Sequence, residues 1–193
     1  MIFSEDKNSF ALDATPLKSE EQLKNGLWLI IVGVNEIPPH IAIINGGKYY
    51  SQSARKVDSG TPLEKFLNVI QRKHVPTVFI NVNVIARNET ISINSLLEKI
   101  YKNIQPLSNT EATCLSPIKA FFAEYHSVEF KNVNYVFELL ALAESKALLK
   151  ESASLFCEGA NSNIVTLPKY TIVQIKNKIQ EISSLNITTH AAH

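Results

Sequence analysis

The stretch Leu27-Trp28-Leu29-Ile30-Ile31-Val32, followed by His40-Ile41-Ala42-Ile43-Ile44 and Lys48-Tyr49-Tyr50-Ser51, decides the fold. Its first run is continuously apolar and of strand length, and the turn dipeptide Asn25-Gly26 opens it. The second run starts after the Pro38-Pro39 break. Between the second and third runs, Asn45-Gly46-Gly47 supplies the positive φ angles that a tight hairpin needs. Three consecutive strands, the last two a hairpin, predict an antiparallel sheet or barrel.

Working outward, helices follow the strands. Thr61-Pro62-Leu63-Glu64 reads as a helix start, with Thr61 capping, Pro62 in the first turn and Glu64 placed for a capping box. Thr77–Val82 reads as a further buried strand. Ser95-x-x-Glu98 opens a second helix, with Leu96, Leu97, Ile100 and Ile104 on one face. A third helix is expected from about Cys114 to Tyr125 and a fourth, apolar all round, from Val136 to Lys150. A polar loop at 158–164 precedes a last helix over 171–184. The pattern predicts an α+β domain over residues 25–185, an N-terminal extension over 1–24 lying against it, and a flexible tail over 186–193.

The chain has 193 residues, 45% hydrophobic and 19% charged, a composition able to bury a core rather than remain disordered. Nineteen Lys+Arg against eighteen Asp+Glu argues against a dedicated nucleic-acid binder, which carries a strong basic excess. No apolar run approaches the roughly 18 residues of a membrane span, and the first residues do not form a secretory signal. Two cysteines are too few for a disulfide scaffold, so a cytoplasmic protein with reduced thiols is expected. The glycosylation triplets at Asn88 and Asn186 are then chance matches.

No histidine has metal-ligand spacing to a cysteine or another histidine, so no metal and no cofactor is expected. His190 and His193 belong to the tail. His74, in Gln71-Arg72-Lys73-His74, suits a helix C-terminus or a basic patch for an anion, and His126 also sits at a helix end. His40 differs, because it opens a buried strand that would hold its ring rigidly. Cys114 lies at a helix start, where free N–H groups and the helix dipole favour a thiolate and can receive an oxyanion. Cys157 has no such context and reads as structural.

These residues also carry a resemblance. Gly26–Ile31, then His40-Ile41-Ala42-Ile43-Ile44, then Gly46-Gly47-Lys48-Tyr49-Tyr50-Ser51 resembles the barrel of NlpC-type papain-like cysteine peptidases. That family has a strand opened by the catalytic histidine, followed by a hairpin. Here the only helix-start cysteine, in Thr113-Cys114-Leu115-Ser116-Pro117, follows the strands. That order is similar to the circularly permuted branch. The resemblance implies Cys114 as nucleophile, His40 as general base and Ser51, or Gln52 in a longer register, as the group orienting the ring. It implies acyl transfer or hydrolysis at an amide, ester or thioester of a small-molecule, peptide or lipid-linked substrate. Trp28, Tyr49 and Tyr50 are candidate groove walls. Two other readings stand beside it: a non-catalytic binding domain that keeps the fold, and a redox sensor in which Cys157 resolves an oxidised Cys114.

Overall fold

The structure is a computed structural model and describes residues 5–6, 9–83, 92–107, 112–157 and 163–190. The Asn88 triplet, most of the 158–164 loop and His193 lie outside the described residues. The elements are β1 (Glu5–Asp6), β2 (Ser9–Asp13), β3 (Thr15–Pro16), β4 (Leu27–Val32), β5 (His40–Asn45), β6 (Lys48–Gln52) and β7 (Val57–Pro62). They continue with α1 (Leu63–Arg72), β8 (Thr77–Val82), α2 (Ile93–Lys102), α3 (Ser116–Tyr125), α4 (Val136–Ser145), β9 (Leu149–Leu155), β10 (Ile164–Pro168) and α5 (Ile172–His190). Short 3-10 turns lie at Glu20–Lys24 and Val128–Asn132.

Seven strands form one open sheet in the order β3-β9-β8-β4-β5-β6-β7, antiparallel except for the β3–β9 pair. The predicted α+β class therefore stands, but the barrel does not close: β3 and β7 are the two ends of the order. Helices cover both faces. That explains why β4 reads as an unbroken apolar run, since a strand covered on both sides has no solvent face to alternate with. Leu27, Leu29 and Ile31 join a large core with Leu96, Ile118, Phe121, Phe122 and Leu139 of α2, α3 and α4. Trp28 and Ile30 join a smaller core with Leu63, Leu67 and Ile70 of α1. Each such side chain contributes about 1.5–3 kcal/mol on burial.

Register follows from the hairpin. Gly46 and Gly47 both adopt positive φ, so Asn45 pairs with Lys48 across a two-residue turn. Asn45 Nδ2 donates to Asn94 Oδ1 (2.7 Å) and Lys48 pairs with Glu98 (3.1 Å), which fixes α2 against the hairpin.

Several expectations are corrected. Residues 9–24 are built into the fold rather than forming an extension: β2 pairs with β10 in a three-stranded sheet, β3 pairs with β9, and Phe10 and Leu12 are core residues. Strand β7 runs to Pro62, so Thr61 is extended and its hydroxyl donates to Asp58 Oδ1 (3.0 Å) instead of capping α1. The fourth helix stops at Ser145, and the chain enters β9 rather than continuing to Lys150. Helix α5 extends through His190, past the predicted end at 184.

Candidate functional site

The predicted catalytic residues gather at one end of the large sheet, where β4 and β9 finish and β5 and β8 begin. His40 is the first residue of β5 and pairs with Val32, the last of β4. Cys114 lies two residues ahead of α3, in a turn closed by the Ser116 N–H on the Thr113 carbonyl (2.9 Å). Both line a cavity of about 110 Å³. Pro38 and Pro39 of the β4–β5 loop form one wall, and Ile175, Ile179 and Ile182 of α5 form another. Leu107 adds apolar surface, with Glu36 and Lys178 as the charged groups in the lining.

The two residues reach that cavity from different elements. Ile31 and Ile41 are cross-strand partners and both belong to the large core. Val32 packs on the smaller, α1-side core, and His40, its cross-strand partner, is the first residue of β5 and lines the cavity under α5. Cys114 packs against the large core on the other face, with its sulfur beside the Ile41 backbone. Among the described residues no hydrogen bond joins His40 to Cys114.

Electrostatics keep both groups uncharged. Burial raises the Cys114 thiol pKa, and backbone hydrogen bonding at Ile41, Cys114 and Leu115 offsets this only in part. The expected activation by the helix start is therefore overridden by desolvation. Burial also lowers His40 to about 4, against a smaller opposing pull from the Asp58 carboxylate. Two of the expected oxyanion donors are engaged inside the turn: the Ser116 N–H meets Thr113 O and the Leu115 N–H meets Thr113 Oγ1 (3.3 Å).

The orienting candidates divide in the same way. Ser51 is buried, and its hydroxyl donates to Asp58 Oδ2 (3.4 Å) rather than meeting the His40 ring. Gln52 donates from Nε2 to the Gln105 carbonyl (2.7 Å). Asp58 is the residue that sequence reasoning missed. Its carboxylate collects Ser51, Thr61 and Lys56 (2.9 Å), and it is the charge that His40 feels. Its strand, Val57-Asp58-Ser59-Gly60-Thr61-Pro62, carries turn-type residues, and the only advance signal is its position one return beyond the Gly46-Gly47 hairpin.

Trp28, Tyr49 and Tyr50 are core residues rather than groove walls. The Trp28 indole donates to the Asn25 carbonyl (2.8 Å), Tyr49 stacks on Phe66 at 4.3 Å, and Tyr50 is wholly buried beside Tyr101. The two cysteines are free. Cys157 donates to the Thr77 carbonyl (3.5 Å), and Thr77 pairs with Val32, whose other partner is His40. Two inter-strand gaps, roughly 9–10 Å, thus separate the anchoring strands of the two thiols. A sulfur–sulfur bond needs about 2 Å.

These features define an α+β domain with an apolar cavity at its sheet end. Comparison with known proteins finds no match to this chain: no family model, no curated protein and no solved structure. No helix among the described residues is long and apolar enough to cross a membrane.

Proposed function

We propose that the chain is a binding domain that holds a small, mainly apolar molecule with one polar end in the cavity under α5. The carrying observation is the lining itself: proline, leucine and isoleucine side chains surround a thiol and an imidazole that burial keeps neutral. About 110 Å³ suits a short acyl or alkyl group and is below the range of drug-sized sites. The reading places the protein in a reducing, cytoplasmic setting, as expected for a chain with only two cysteines.

Titrating hexanamide into ¹⁵N-labelled protein tests this. Saturable shifts at the His40, Cys114 and Ile179 amides are expected, and Ile179→Trp, which fills the cavity, should remove them. Absence of saturable shifts would discard the reading.

A second reading, cysteine acyl transfer on a permuted papain-like scaffold, is favoured by one observation: Cys114 and His40, far apart in sequence, open onto the same cavity. In that reaction His40 takes the thiol proton as sulfur attacks the carbonyl. The proton then passes to the leaving amine or alcohol, and water hydrolyses the acyl-thioester. Peptide or lipid-linked substrates belong to this reading. With p-nitrophenyl hexanoate as probe, it requires a hexanoyl adduct on Cys114 that His40→Ala abolishes. The binding reading expects none above the Cys114→Ser background.

A further inference from the structure

A larger cavity, about 760 Å³, lies at the same sheet end on the far side of the β4–β5 loop. We infer that it is a second binding site, for a flat heteroaromatic ring, in which His74 and Phe156 supply the ring-contacting wall. This goes beyond the cavity under α5, with which it shares no lining residue.

His74 (φ 49°) and Phe156 (φ 57°) are non-glycine residues held in the left-handed region. His74 follows α1 at the position where glycine is usual: the Val75 N–H bonds the Ile70 carbonyl (2.9 Å) and the His74 N–H bonds the Gln71 carbonyl (3.1 Å). Among the described residues five glycines and three other residues, His74, Ala147 and Phe156, adopt positive φ, and the two of these three that carry rings both line this cavity. The two rings meet, with centroids 4.9 Å apart and planes tilted by 53°.

Val34, Pro76 and Val165 provide apolar surface, while Asn35 and Thr166 carry both donors and acceptors. Apolar faces with a polar rim suit a planar ring that carries hydrogen-bonding atoms on its edge. The Cys157 thiol also lines the cavity, its one S–H lying within reach of the Thr77 and Leu155 carbonyls, and the proposed binding asks no covalent chemistry of it.

The test titrates adenine and benzimidazole, with cyclohexanol as a non-planar control, against ¹⁵N-labelled full-length protein. Saturable shifts confined to the amides of Asn35, Phe156, Cys157 and Thr166 are expected from the two planar probes. His74→Gly should weaken them at least tenfold while raising the melting temperature by about 2–4 °C through strain relief. The inference is overturned by no saturable shift from either planar probe, by an equal response to cyclohexanol, or by unchanged affinity in His74→Gly. A lowered melting temperature in that variant also overturns it, because the ring would then be a structural fixture.

Discussion

At the scale of the residue, His40 couples the candidate site to pH. Its ring has a folded pKa of about 4 against an ordinary 6.5, so the unfolded chain binds a proton that the folded chain refuses. Stability should therefore be full above pH 6.5 and fall as pH drops toward 4, by on the order of 2–3 kcal/mol across that window. Urea denaturation at pH 7.5 and pH 5 should show this loss in the native chain and a smaller one in His40→Gln. Equal losses would assign the effect to other groups. Ala147 offers a second test. It adopts φ 54° after α4, with the Leu148 N–H on the Ala143 carbonyl and the Ala147 N–H on Glu144 O. Glycine carries no Cβ to strain there, so Ala147→Gly should stabilise the protein by about 0.5–1 kcal/mol.

At the scale of the element, Gly60 governs β7. It adopts φ 77° where the β6–β7 register shifts, and its missing Cβ leaves room beside the Tyr50 hydroxyl and Lys48. Gly60→Ala should cost about 1–2 kcal/mol, read as a lowered denaturation midpoint with unchanged slope. A neutral result would mean that the bulge can relax. Elements of this kind mark the limit of what the sequence discloses. Strands β4, β5 and β8 are legible because their apolar runs are unbroken, and the β5–β6 hairpin because glycine announces its turn. Strand β7 hides among turn residues whose purpose is a bulge and a buried carboxylate cluster. Strand β9 is masked by Leu148, Leu149 and Lys150, which continue a helical pattern past a stop made by alanine instead of glycine. His40 and Cys114 were legible as unusual. Their meeting at one cavity was not, because it depends on where α5 and the β4–β5 loop close over the sheet end.

At the scale of the whole molecule, the sheet and α5 should differ in stability. Strands β4, β5 and β8 lie between two cores and are nearly all fully buried, whereas the described side chains of α5 include one buried residue, Ile175. Amide hydrogen exchange should find the β4 and β8 amides protected close to the global unfolding free energy, with α5 exchanging at least a hundredfold faster. Equal protection would mean that α5 unfolds only with the sheet and that its cavity does not open separately. A lightly held α5 would give the cavity a way to admit a ligand without disturbing the strands.

Built-in dependence on the far end of the chain has a consequence for synthesis. The hydroxyl of Ser152 donates to the carbonyl of Asp13, 139 positions away, and β2 and β3 find their partners in β10 and β9. A ribosome adding about 5–20 residues per second needs roughly 7–30 s between emitting the two sides of that contact. During that interval Phe10 and Leu12 are translated but have no β10 to pair with, so the nascent chain carries an unmatched strand until its last quarter emerges. Arrest of translation before residue 164 should leave a product with its middle strands assembled and β2 still open to protease.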